Sequence, residues 1–201
     1  MRLLVIDNYD SFVYNLIQIV EQAGVSDYLI RKNDNLLSLN EFEFDKVLIS
    51  PGPGIANEAG QLLEFIRKFY RTKSILGICL GHEAIAEVFG ASIVQLPEPL
   101  HGIKNEGEVI EPHYIFNQLP KRFMIGHYHS WILDESTMPS SLNVIMRDEN
   151  CLIMGIRHQR FDVTGLMFHP ESVMTEFGSE MVRNWLTPSV LSDISHRGGE
   201  N

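Results

Sequence analysis

Ser74-Ile75-Leu76-Gly77-Ile78-Cys79-Leu80-Gly81-His82 carries a strand, a sharp turn and the start of a helix. Ser74 to Ile78 is a short apolar run of the kind that forms a strand buried on both faces. From His82 to Phe89 the pattern is helical and is closed by Gly90. Between them, Gly77-Ile78-Cys79-Leu80-Gly81 has the form of a nucleophile elbow with cysteine in the serine position. The glycines relieve crowding at such a turn, which exposes the sulfur and sets it at the start of a helix. There the backbone amides and the helix dipole favour the thiolate, and a cysteine pKa can fall from about 8.5 to about 3.5–7.5. The bland alternative is a buried thiol after a strand, and the choice turns on whether the chain also supplies a base and a group to orient it.

The same alternation extends outward from this stretch. Leu3 to Asp7 is a first strand; Asp10 or Ser11 can cap a helix running through Phe12, Leu16, Ile19 and Val20 to Ala23, stopped by Gly24. Tyr28 to Arg31 is a second strand and Val47-Leu48-Ile49-Ser50 a third, cut off by Pro51-Gly52-Pro53-Gly54. Leu62, Leu63, Phe65, Ile66 and Phe69 give the next helix its apolar face, and Ser92 to Leu96 reads as a fifth strand. Short apolar runs separated by helices predict an α/β fold: an open, mostly parallel, twisted sheet of flavodoxin-like type with helices on both faces. In such sheets ligands gather at the carboxyl ends of the strands. Asp7 to Ser11, Ser50 to Gly54 and Cys79 to Gly81 should therefore converge. The second half is less regular: segments near 107–111, 123–126, 142–146, 152–156 and 163–167 read as additional antiparallel strands, and Ser179 to Leu186 as a closing helix. The reading is one domain over 1–187, with a polar, loosely ordered tail over 188–201.

Composition narrows the function. A chain of 201 residues with a formal net charge of -10 has room for one full core and lacks the basic surface that nucleic acid or an anionic membrane would need. No stretch is long and apolar enough to cross a bilayer, and Asp7 interrupts the N-terminal apolar run where a signal peptide would continue. The expected location is the cytoplasm. Cys79 and Cys151 make no disulfide framework, and Cys151 in Cys151-Leu152-Ile153-Met154 reads as a buried small hydrophobe.

The missing base and orienter stand in His169-Pro170-Glu171. Proline should hold this segment extended so that both side chains project to one side, with Glu171 accepting from one ring nitrogen and the other nitrogen facing the thiol. The plainer reading is a surface histidine beside a capping glutamate. In Pro51-Gly52-Pro53-Gly54 two prolines stiffen the loop and two glycines let a ligand approach the backbone. The amides of Gly52 and Leu80 are the candidate donors to the oxyanion of a tetrahedral intermediate. Among the other histidines, His82 reads as packing at a helix start, and His127 and His129 as alternating residues able to line a pocket. No three of them have convincing zinc-ligand spacing, so no metal is expected.

Several further segments join these: Asp7-Asn8-Tyr9-Asp10-Ser11-Phe12, His101-Gly102, Tyr128-His129-Ser130, Met154-Gly155-Ile156-Arg157-His158 and Phe168-His169-Pro170-Glu171-Ser172. Together, from residue 3 to about 187, the chain resembles the class I (triad) glutamine amidotransferases. Within them it is most similar to the glutaminase subunits of chorismate-using synthases, which make anthranilate (tryptophan pathway) or 4-amino-4-deoxychorismate (folate pathway). The resemblance implies Cys79 as nucleophile, His169 as general acid/base and Glu171 as orienter. It also implies glutamine contacts from Gly52, Gly54, residue 83 and the backbone of Ser130 and Trp131. It implies a synthase partner that receives ammonia and carries chorismate and its metal, and no cofactor in this chain.

The chain departs from the family pattern in three places: Glu83 stands where glutamine is usual, His101-Gly102-Ile103-Lys104-Asn105 replaces His-Gly-Lys-Thr-Ser, and Trp131 replaces leucine. An amide donates and accepts, whereas a carboxylate only accepts. Either Glu83 is protonated, or it binds the substrate ammonium, or glutamine binds weakly. Two rival readings remain at this stage: a stand-alone amide or gamma-glutamyl hydrolase of the same fold, and a degenerate regulatory binding module.

Overall fold

The computed structural model describes residues 1–187; the expected loose tail over 188–201 lies outside the described residues. β1 (Leu3–Asp7) is buried at every position and so needs cover on both faces. Its side chains alternate accordingly: Leu3 and Val5 join the core on one side of the sheet, Leu4 and Ile6 the core on the other. α1 (Val13–Gln22) buries Val13, Leu16, Ile17, Ile19 and Val20. The Asp10 carboxylate accepts the Phe12 N–H at 2.7 Å just ahead of this helix, although Phe12 itself occupies the N-cap. Gly24, at φ 89°, ends it. β2 (Tyr28–Lys32), β3 (Lys46–Ile49), α2 (Leu62–Phe69), β4 (Ser74–Ile78) and α3 (Leu80–Val88) follow as the apolar runs require.

β5 (Ile93–Val109), β6 (Arg122–Leu133), β7 (Leu142–Asp148), β8 (Ile153–His158), β9 (Val163–Leu166) and α4 (Gly178–Leu186) complete the α-helices and strands of the described residues. The sheet order is β2-β1-β3-β4-β9-β8-β7-β5-β6. β2, β1, β3, β4 and β9 are parallel, and every pairing beyond β9 is antiparallel. α1 and α4 pack on one face, and α2 and α3 on the other. The mixed α/β architecture with helices on both faces is thus the expected one.

Three expectations need correction. The fifth strand at 92–96 and the strand near 107–111 are two ends of one long strand, β5, which pairs antiparallel with β6 through irregularities at Gln95/Leu100 and His101/Ile103. Most of β5 is exposed, so no apolar run marks its course, and the backbone of β6 holds it instead. The fifth parallel strand is β9, lying against β4. Cys151 is exposed, not buried. The Asp148 carboxylate accepts the N–H groups of Asn150 at 3.0 Å and Leu152 at 2.8 Å, and this tight turn puts Cys151 at φ 63° with its side chain outward.

Candidate active site

Cys79 lies one residue beyond β4 and takes φ 49°, ψ -101°, a conformation that strains any side-chain-bearing residue. The surrounding structure enforces it. Cys79 N–H donates to the Leu166 carbonyl at 2.8 Å, and its carbonyl accepts from Glu83 N–H at 3.0 Å. A Cβ on Gly77 would stand 2.5 Å from the Gly81 backbone, and one on Gly81 would stand 2.9 Å from Ile49 Cβ. Only glycine permits so close a passage of strand, turn and helix, so the elbow read from the sequence is present.

The electrostatics differ from the expectation. Burial pushes the Cys79 thiol well above its usual pKa, with the Glu83, Glu171 and Asp10 carboxylates adding to the effect. The Leu80 amide acts the other way but does not prevail. The resting group is therefore a thiol, and the thiolate requires transfer of its proton to a base.

Register places the candidate base. Ile78 of β4 lies opposite Leu166 of β9, so the segments that leave these two neighbouring strands emerge side by side. His169 is 3% exposed. Its Nδ1 meets Glu171 Oε1 at 2.6 Å, while its Nε2 is buried without a partner among the described residues. The pair is made differently from the expectation. Ser172 N–H donates to the His169 carbonyl at 3.2 Å, so Pro170 and Glu171 form the middle of a turn and not an extended segment. Proline's fixed φ suits that turn, which folds the carboxylate back on the ring. Thr175 Oγ1 donates to the His169 carbonyl at 2.6 Å, His169 N–H donates to the Gly126 carbonyl at 3.2 Å, and the Tyr128 ring stands edge-on at 5.0 Å. Sequence reasoning missed Thr175 and the Tyr128 packing; Tyr128 was at least visible beside His129.

A cavity of about 160 Å³ opens over the elbow, smaller than drug-sized sites and on the scale of an amino acid. Gly52, Pro53 and Gly54 form one wall, with Cys79, Leu80 and Glu83 beside them. The opposite wall is β6, through Tyr128, His129, Ser130 and Trp131, with His101 at hydrogen-bond distance from Ser130 Oγ, 3.2 Å. Every substrate-contact residue expected from the sequence lines this one cleft. Gly52 is pressed into it: a Cβ there would stand 2.6 Å from Asn8 Cβ and 2.7 Å from Leu80 Cδ2. Asn8, hydrogen-bonded to the Ser50 carbonyl at 2.8 Å, fixes the start of this loop, and Gly54 turns it at φ 77°.

Glu83 is 3% exposed, and its Oε2 has no partner among the described residues. Burial, helped by Glu87 one turn on, raises its pKa to about 8. At neutral pH it is a carboxylic acid, which both donates and accepts as an amide does. His82, fully buried beneath the elbow, is held neutral by burial, with a pKa of about 4; it packs at the helix start as expected.

A strained thiol over a glycine-lined cleft, with a carboxylate-paired histidine just beyond the end of the neighbouring strand, makes up the candidate site. The chain belongs to the class-I glutamine amidotransferases: the pattern of the family described as glutamine amidotransferase class-I matches residues 4–188. Among curated relatives, it is 40% identical over 190 residues to the aminodeoxychorismate/anthranilate synthase component 2 of Bacillus subtilis, covering 92% of this chain and 95% of that one. It is 41% identical over 190 residues to the aminodeoxychorismate synthase component 2 of Klebsiella aerogenes, with 92% and 98% covered. Among solved structures, a protein described as a GMP synthase subunit from Thermoplasma acidophilum superposes with a TM-score of 0.83 at 25% identity, over 98% of this chain and 96% of that one. Among the described residues no helix is long and apolar enough to cross a membrane, and no cluster of side chains is arranged to hold a metal ion.

Proposed function

We propose that this chain is the glutaminase subunit of a chorismate-using synthase. It hydrolyses glutamine at Cys79, His169 and Glu171 and passes ammonia to a synthase partner that forms anthranilate or 4-amino-4-deoxychorismate. The carrying observation is the pairing of the strained Cys79 elbow with the buried His169–Glu171 hydrogen bond at the ends of adjacent strands, over a cleft lined by the expected contacts.

His169 Nε2 takes the thiol proton as sulfur attacks the side-chain amide carbon of glutamine. The amides of Gly52 and Leu80 hold the oxyanion, each worth about 2.7–4 kcal/mol of barrier by analogy with such donors. The carbon–nitrogen bond breaks, and His169 gives its proton to the departing nitrogen, releasing ammonia and leaving a thioester. Water then adds to the thioester as His169 takes a proton from it; glutamate leaves and the thiol is restored. Glu171 stabilises the imidazolium at each stage. Glu83, neutral near pH 7, contacts the amino-acid end of the substrate together with the backbone of Ser130 and Trp131. Ammonia must stay unprotonated to react, so it passes directly to the partner, which carries chorismate and its metal. This chain needs no cofactor and works in the cytoplasm.

The test is Cys79→Ser assayed with the partner synthase. Synthesis from glutamine should vanish while synthesis from added ammonia persists; loss of both would count against the scheme. Full glutamine turnover without any partner would favour a stand-alone hydrolase instead.

A further inference from the structure

Behind the β6 wall of the cleft runs a hydrogen-bonded chain that the reaction scheme leaves unused. His129 lines the cavity together with Cys79. Its Nδ1 lies 3.0 Å from the Trp131 carbonyl and its Nε2 lies 2.9 Å from His127 Nδ1. His127 Nε2 meets Asn105 Oδ1 on β5, and Asn105 Nδ2 donates to Asp148 Oδ2, at the end of β7, at 3.1 Å. His127 is fully buried, and His129, Asp148 and Asn105 are more than nine-tenths buried.

The proton positions follow from the partners at the two ends of this chain and from the deeper lowering of the His129 pKa. Asp148 Oδ1 accepts the Asn150 and Leu152 amides, and its Oδ2 faces Asn105. Asn105 must turn its NH2 toward that carboxylate, which leaves its carbonyl oxygen facing His127. A carbonyl only accepts, so His127 Nε2 must carry a hydrogen. At the other end the Trp131 carbonyl requires a hydrogen on His129 Nδ1. Burial lowers the pKa of His129 to about 3, so this ring is neutral and its Nε2 is a bare lone pair. His127 Nδ1 must then carry a hydrogen as well.

We propose that His127 is a buried imidazolium, donating from both ring nitrogens, and that it is a positioning residue: it fixes the His129 tautomer and stands a positive charge behind the wall that faces Cys79. Burial, with His169 from the loop after β9, lowers the His127 pKa on balance, and Asp148 from β7 opposes that shift; it is the donor and acceptor geometry that calls for the charge, while His82 on α3 acts on His129. A neutral His127 would set one lone pair against another in the interior, where an unmet polar contact is most costly. The charge has work to do, because burial above all resists ionisation of Cys79, with Glu83 once it ionises, Glu171 and Asp10 adding to it.

The deciding experiment is nitrogen NMR of the histidine rings in the full chain at pH 7. Both His127 nitrogens should give protonated-type signals, and His129 one protonated and one bare nitrogen. A bare nitrogen on His127 overturns the proposal. This readout is independent of what Cys79 does, so its failure would leave the glutaminase reading standing. A second arm, which does rest on Cys79 as nucleophile, follows its alkylation by iodoacetamide against pH in a Cys151→Ser background. His127→Gln should raise the midpoint by about one pH unit, about tenfold less thiolate at fixed pH. His127→Arg, a permanent cation with donors only, should restore it. An unmoved midpoint in folded His127→Gln refutes the electrostatic role.

Discussion

Glu83→Gln gives the sharpest test of the cleft, because its effect should depend on pH in a calculable way. Glu83 is buried, and its pKa is raised from 4.5 to about 8, first by desolvation and then by Glu87. The acid is therefore neutral below about pH 8 and becomes an anion above it. If only the neutral form accepts the substrate's carboxylate end, the apparent KM scales as one over the neutral fraction. That predicts a KM about 1.1 times its limiting value at pH 7, about twice it at pH 8 and about 11 times it at pH 9. Glu83→Gln cannot ionise, so it should match the parent near pH 7 and bind glutamine about tenfold better at pH 9. The assay is steady-state glutamate release by the complex with the synthase between pH 6.5 and 9.5. The substrate's own ammonium group titrates in the alkaline range, which is why the comparison must be with the variant. Equal pH profiles for the two proteins would refute the reasoning. A second readout follows from linkage: because the folded pKa is raised, the stabilisation from Glu83 is complete below about pH 4.5 and is lost as pH rises through about 8. Wild type should lose thermal stability over that window relative to Glu83→Gln.

Other perturbations separate the parts of the site. Glu171→Gln keeps the side chain's size but removes the charge that supports the His169 imidazolium; kcat for glutamine should fall by about 10²–10⁴-fold with KM little changed. Gly52→Ala places a Cβ 2.6 Å from Asn8 Cβ, and the displaced loop should lower kcat/KM by about 10²-fold, measured with the fold checked by circular dichroism. Trp185→Ala, at a fully buried indole whose Nε1 donates to Ser74 Oγ at 3.1 Å, should cost about 3–5 kcal/mol. By calorimetry this is a drop in Tm of about 6–20 °C.

The legible parts of the sequence were those where local chemistry decides. β1, β3 and β4 are short apolar runs buried on both faces along most of their length, which announces parallel strands and crossover helices. The elbow was legible because Gly77 and Gly81 flank a cysteine where no Cβ fits. β5 was not, since its largely exposed residues, with Pro97 and Pro99 among them, carry no period and its course is set by a partner strand. The seating of β9 beside β4 is a long-range choice that no window of sequence contains. Cys151 followed a turn dictated by the Asp148 side chain rather than its own apolar neighbours. His127, Asn105 and Asp148 sit on three different strands, so their hydrogen-bonded chain exists only after the sheet forms.

The seating of β9 between β4 and β8 has a consequence for how the activity comes into being. Cys79, the proposed nucleophile, leaves the ribosome long before His169, its proposed base, and β9, which leads to His169, is the last strand of the described residues to be made. A truncated chain ending anywhere in between would hold the thiol without the histidine proposed to take its proton. On the proposed scheme, hydrolysis would start only once β9 is seated between β4 and β8.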